Sequence, residues 1–158
     1  MKILIAYYSR TNFTKKLAEE LALSLGAELE EVVDLKDRRG ALGFVMAGKD
    51  AVQKNLTEIK PITKKVSDYD LLILATPVWA GTMASAIRTF LTHEKDNVKK
   101  LVCFATQGGK DLQKVFGEIE KVIGKKSEAN EFFVTKEIAQ EKYRDKFDEF
   151  VKKIKQLQ

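Results

Sequence analysis

The sequence is poor in residues that build disulfides, metal sites and rigid loops, with one cysteine, one histidine and two prolines among 158 residues. Cys103 cannot form a disulfide within the chain, and its apolar neighbours indicate a small buried hydrophobe. One histidine excludes a two-histidine metal site, and His93 lies near the end of a helical pattern without the setting of a catalytic triad. We therefore expect no metal and no catalytic residue of these classes.

Long hydrophobic runs are also missing. No apolar stretch approaches the roughly 20 residues that span a bilayer. The short run after Lys2 meets Tyr7 and Tyr8 before any small-residue cleavage site, which argues against a secretory signal. We expect a cytoplasmic protein without a membrane partner.

The proportions of hydrophobic and charged residues are typical of one globular domain. Hydrophobic residues make up 44% and charged residues 32% of the chain, so residues 1–158 are predicted to form a single domain. The 28 Lys and Arg exceed the 23 Asp and Glu, and the net charge of +5 attracts anions. Because both signs alternate and no nucleic-acid motif is present, no nucleic-acid partner is expected.

Apolar segments and helical patterns alternate five times along the chain. The strongest apolar runs are nearly continuous, which is typical of strands buried on both faces of a parallel sheet. The predicted strands are 2–8, 29–35, 71–75, 101–105 and 132–135. Apolar residues with helical spacing predict helices at 13–25, 83–91, 112–123 and 143–157. The alternation predicts a parallel sheet with helices on both faces and a ligand beyond the carboxyl ends of the strands. Periodicity alone leaves the strand order open.

The connection between the second and third strands is unusually long, at about 35 residues. Its segment 40–48 is apolar, rich in glycine and poorly periodic. One interpretation is a crossover helix with a packed entry loop. The other is a flap or subunit contact beside the ligand.

The loop after the first strand leads directly into the first helix and is rich in hydroxyl groups. Hydroxyl donors beside the unpaired N–H groups of a helix N-terminus suit a phosphate dianion, although helix capping alone would also explain these residue types. The predicted binding residues here are Ser9, Arg10, Thr11, Asn12, Phe13 and Thr14. The loop lacks the glycine patterns of dinucleotide sites and of nucleoside triphosphate sites.

Two further strand ends carry residues suited to a planar ligand. The loop after the third strand contains the only tryptophan, whose broad face can pack on a ring unless it serves as a packing anchor. The predicted residues are Thr76, Pro77, Val78, Trp79, Ala80 and Gly81. After the fourth strand, two glycines allow close backbone approach, although a simple turn would also use them. The predicted residues there are Thr106, Gln107, Gly108 and Gly109.

Together the three loops resemble those of the flavodoxin family, and the resemblance covers essentially the whole chain. It implies a flavodoxin-like three-layer sandwich with a five-stranded parallel sheet in the order 2-1-3-4-5. It also implies one FMN, with its phosphate at Ser9, Thr11 and Thr14, its ring on Trp79 and its pyrimidine edge at the third loop. Asn12 stands where the family often has glycine, and the third loop lacks the tyrosine that covers the other flavin face in many members.

The resemblance implies electron transfer through bound FMN, to a redox partner protein or a small-molecule electron acceptor. The alternative is an FMN-dependent NAD(P)H oxidoreductase, such as a quinone, flavin or protoporphyrinogen-type reductase. An uncovered ring face and a positive field that draws anionic substrates favour this enzyme. Both a monomer and a homodimer agree with the resemblance.

Overall fold

The computed structural model describes residues 1–109 and 114–157. Its centre is a sheet in which five strands run parallel in the order β2-β1-β3-β5-β6, with a short strand β4 antiparallel to β3. The strands are β1 (Ile3–Tyr7), β2 (Glu28–Glu31), β3 (Leu71–Trp79), β4 (Thr82–Met83), β5 (Lys100–Gln107) and β6 (Ala129–Val134). Counting only the parallel strands, this order is 2-1-3-4-5, which confirms the predicted flavodoxin-like α/β fold.

Helices cover both faces of the sheet. They are α1 (Phe13–Leu25), α2 (Gly40–Val52), α3 (Ser85–Glu94), α4 (Lys114–Ile123), α5 (Thr135–Ala139) and α6 (Arg144–Lys155). In β1, Leu4 packs in the core beneath α2, α3 and α4, while Ile5 packs in the core beneath α1 and α6. Successive strand residues point to opposite faces, so a continuous apolar run is what a doubly covered strand requires.

Several elements differ in length from the prediction. β3 extends to Trp79 because its end pairs with β4, and β5 extends to Gln107 alongside β6. β2 ends at Glu31, and the chain after it instead pairs with the segment that follows α2, through an antiparallel bridge between Asp34 and Ile59. The fourth helix is described from Lys114 onward, so the predicted start at 112 lies outside the described residues.

The glycine-rich segment 40–48 is part of helix α2, as the first of its two interpretations predicted. The buried positions of this helix are Gly43, Ala47 and Ala51, which recur every four residues. Small side chains therefore face the sheet, and the large apolar side chains lie on the outside. In the described part of the chain, no helix has the length and hydropathy needed to cross a bilayer.

Candidate functional site

The three predicted loops meet at one edge of the sheet. They follow β1, β3 and β5, which are neighbours in the sheet and run parallel, so their carboxyl ends lie side by side. Two contacts join the loops directly. The Thr14 and Thr106 hydroxyls form a buried hydrogen bond of 2.8 Å between the first and third loops. The rings of Tyr8 and Trp79 meet edge to face, with centroids 5.3 Å apart, between the first and second.

The first loop turns into α1 through a left-handed residue. Asn12 has φ 66° and ψ −3°, and asparagine adopts this conformation more readily than most side chains. This explains how asparagine occupies a position where glycine is common in the family that the loops resemble. The Asn12 side chain makes no capping hydrogen bond within the described residues, although the Asn12 backbone carbonyl accepts one from the Lys16 N–H at 2.9 Å. Thr11 and Asn12 are exposed, Arg10 and Phe13 are half-buried, and Thr14 is buried.

The second loop is a two-residue hairpin turn between β3 and β4. Ala80 has φ 48° and Gly81 φ 83°, and two successive positive φ values are those of a type I′ turn. Glycine adopts this conformation without strain, whereas an alanine there costs about 1 kcal/mol or more. The turn therefore presents the Ala80–Gly81 peptide at the sheet edge, on a tight hairpin.

Trp79 is 7% exposed. The Tyr8 ring packs edge to face against the Trp79 ring. The Arg38 guanidinium lies 5.8 Å from the Trp79 ring centroid, within the range of a cation–π contact. The ring is thus a packed element of the site, and the predicted stacking of Trp79 on a flavin stays a prediction. The neighbouring Pro77 and Val78 are half-buried within β3.

Arg38 is a member of this site that the sequence reasoning missed. Its side chain is buried, its Nε donates to Asp34 Oδ2 at 3.0 Å, and its Nη1 donates to Asp50. A hydrogen bond from Lys36, joined by that from Arg38, holds the pKa of Asp50 well below its ordinary value despite partial burial. The i, i+4 spacing of Asp34 and Arg38 was the available signal, but it did not reveal that Arg38 would lie beneath Trp79.

A second missed cluster anchors the other side of the hairpin. Arg88 of α3 is buried, and its Nη2 donates to Thr82 Oγ1 and to Glu118 Oε2, each at 2.9 Å. Thr82 also donates to Glu118 of α4. Burial raises the pKa of Glu118, but the hydrogen bonds from Thr82 and Arg88 outweigh it, so the pKa lies below its ordinary value. The hairpin is therefore tied to two helices by an ionised pair.

The third loop begins with two buried polar residues, Thr106 and Gln107. Gly108 and Gly109 follow at the surface, and a Cβ at either would meet no atom within 4 Å among the described residues. The described part of the chain therefore leaves room for a close ligand at this strand end. Lys110, which follows Gly109 in the sequence, lies outside the described residues.

Unpaired polar atoms mark the two ends of this site. Ser9 Oγ and both amide atoms of Gln107 are buried and have no hydrogen-bond partner among residues 1–109 and 114–157. Buried polar groups nearly always have partners, and a ligand is one explanation when several orphans lie along one edge. A phosphate at the first loop and a ring edged with nitrogen and oxygen at the third would supply these partners. The residues present thus fit a phosphorylated planar cofactor.

Comparison with known proteins agrees with this geometry. Residues 2–154 match the family model described as flavodoxin. A crystal structure of a flavoprotein in complex with FMN from Lactobacillus acidophilus NCFM is 26% identical, covers 88% of this chain and 97% of its own, and has a TM-score of 0.73. Oxidised flavodoxin 2 from Bacillus cereus is 17% identical over 100% of both chains, with a TM-score of 0.59.

A larger enzyme contains a similar unit. Rubredoxin oxygen:oxidoreductase from Desulfovibrio gigas is 18% identical, and the match covers 97% of this chain and 37% of that chain, with a TM-score of 0.55. At this identity the likeness shows the fold alone. No curated protein matches the chain.

Proposed function

The chain belongs to the flavodoxin family, and we propose that it binds one FMN across the three loops and passes electrons between this FMN and a redox partner. The cofactor expected from the sequence agrees with the family match and with the FMN complex of the Lactobacillus acidophilus flavoprotein. The observation that carries the proposal is the set of buried polar atoms on Ser9 and Gln107, at two loops of one sheet edge, that have no partner among the described residues.

The first loop would hold the phosphate. Ser9, Thr11 and Thr14 bring three hydroxyls to the start of α1, where unpaired backbone N–H groups and the positive end of the helix dipole favour a dianion. If Thr106 donates to the Thr14 oxygen, the Thr14 hydroxyl hydrogen is left to donate to the phosphate. The site thereby binds an anion without a dedicated basic side chain.

The second and third loops would hold the ring. The Gln107 amide offers one acceptor and two donor hydrogens to a heteroatom edge. The Ala80–Gly81 turn presents its backbone at the same sheet edge, and Tyr8 and Arg38 pack against the ring of Trp79, the residue before that turn. When bound, FMN supplies the redox chemistry, while these residues orient it and exclude water.

A comparison of FMN with riboflavin, which lacks the phosphate, tests this assignment. We expect flavin bands in the absorption spectrum of the purified protein and, after removal of the flavin, tighter rebinding of FMN than of riboflavin. Ser9→Ala should weaken FMN about tenfold or more and leave riboflavin nearly unchanged, because the hydroxyl bonds a charged group. Gln107→Leu should weaken both ligands.

Ser24→Ala is the matched control, since Ser24 is an exposed residue of α1 whose hydroxyl, within the described residues, donates only to the Glu20 carbonyl. A protein that takes up no FMN, or that binds FMN and riboflavin equally, would refute the proposal.

Anaerobic addition of NADPH and of NADH separates an electron carrier from an NAD(P)H oxidoreductase. Prompt loss of the flavin bands would identify an NAD(P)H oxidoreductase, and no response would support an electron carrier.

A further inference from the structure

Helix α2 has an apolar surface that the fold does not cover. Five large apolar side chains of this helix are exposed, by between 37% and 75%. They are Leu42, Phe44, Val45, Met46 and Val52, and we call them the α2 apolar face. The small residues that recur on the opposite side of α2 already fill its contact with the sheet. A clustered apolar surface of this kind marks an interaction site more often than scattered exposed residues do.

The α2 apolar face borders the proposed FMN site. The Phe44 ring lies 5.2 Å from the Arg10 guanidinium of the phosphate loop. Phe44 and Val45 also line a groove of about 490 Å³ together with Trp79 and Ala80 of the hairpin. A molecule seated on this face would therefore contact the loop that carries the flavin ring.

The charges around the face are positive. Arg10 lies against Phe44, and Lys49 of α2 lines the groove beside Phe44 and Val45; neither has an ion pair within the described residues. The one carboxylate of α2, Asp50, already binds Arg38 and Lys36. The face thus combines two positive charges that have no ion pair in the described chain with exposed apolar side chains, and protein interfaces likewise combine apolar and polar groups.

We propose that the α2 apolar face docks a redox partner protein whose contact surface is acidic. This inference rests on the proposed function, and it adds which surface the partner uses and what charge that partner carries. A second copy of this chain is disfavoured, because twofold contact across α2 would bring Arg10 and Lys49 of both copies together. A 13-residue helix is only about 20 Å long. Its face suits the small interfaces of transient electron-transfer pairs better than a permanent dimer.

An acidic [2Fe–2S] ferredoxin is a suitable probe. The reduced ferredoxin is mixed with the oxidised FMN-loaded protein in a stopped-flow instrument, and each encounter moves one electron from the cluster to the FMN. We expect the bimolecular rate constant to fall steeply as ionic strength rises. At low salt, Lys49→Glu should lower it about tenfold, and Phe44→Ser about fivefold or more.

Matched variants on the opposite layer control for surface chemistry. Leu23 is 86% exposed on α1, and Lys152 is exposed on α6. Leu23→Ser and Lys152→Glu should change the rate constant less than twofold. Reduction of the flavin by dithionite should be the same in all four variants, because dithionite needs no docking surface.

Each other result overturns the inference in a distinct way. Rate constants of Phe44→Ser and Lys49→Glu that match their controls would show that the partner docks elsewhere. A wild-type dimer in sedimentation that Phe44→Ser dissociates would identify a second copy as the occupant. Loss of FMN from Phe44→Ser would assign the face to the cofactor. A wild-type protein that binds no FMN would refute the proposed function itself, and the inference with it.

Discussion

Substitution of Gly43 by alanine should destabilise the protein through a single backbone clash. A Cβ at Gly43 would lie 2.3 Å from the Arg38 carbonyl carbon and 2.5 Å from its oxygen. Favourable carbon contacts are about 3.5 to 4 Å long, so the chain around Arg38 must move by more than 1 Å. Overpacking of this kind costs about 1 to 3 kcal/mol, and the movement also disturbs the hydrogen bonds of Arg38 to Asp34 and Asp50.

Gly48 is the matched control within the same helix. A Cβ there would meet nothing within 4 Å, so Gly48→Ala should raise the free energy of unfolding by about 0.5 to 1 kcal/mol through helix propensity alone. Gly43→Ala has the same propensity gain, so the overpacking cost should lower its free energy of unfolding by up to about 2.5 kcal/mol and leave it about 1 to 3 kcal/mol below that of Gly48→Ala. Urea titration at a fixed FMN concentration would separate the two midpoints by about 1 M. A midpoint for Gly43→Ala at or above that of Gly48→Ala would refute the reasoning.

Three other substitutions test the site and its supports. Ser9→Ala should stabilise the flavin-free protein by about 1 kcal/mol in thermal unfolding, because it removes a buried hydroxyl without a partner in the described chain; a loss of stability would contradict this. Arg88→Met should cost about 2 kcal/mol, because Glu118 loses its buried partner and keeps the more exposed Lys54 ammonium at 3.5 Å, and adding Glu118→Gln should recover part of this loss. Additive effects in that double-mutant cycle would exclude coupling. Hydrogen bonds from Lys126 and from Ser127 lower the pKa of Glu120 from 4.5 to about 2, so Glu120→Gln should reduce stability by about 1 kcal/mol at pH 7. That difference should disappear as the pH falls from 4.5 to 2, and a pH-independent difference would contradict the assignment.

The helix that covers the site shows why one part of the fold was difficult to predict. Pattern reasoning seeks large apolar residues on the buried side of a helix. In α2 the buried side is Gly43, Ala47 and Ala51, and Phe44 and Val45 point outward. The inverted pattern gave no clear period. Only the close approach of the helix to Arg38 and β3 explains why small residues were required there.

What the sequence determined by itself is local. Apolar runs such as that of β1 encode a strand covered on both faces, and hydroxyl residues before an amphipathic helix encode an anion site, because both depend on neighbouring residues. Tertiary structure alone decided which distant groups meet. The burial of Arg38 beneath Trp79 and the Thr14–Thr106 hydrogen bond join residues 41 and 92 positions apart in the chain. Such contacts follow from the order of strands in the sheet and the path of the α2 connection, and sequence periodicity contains neither.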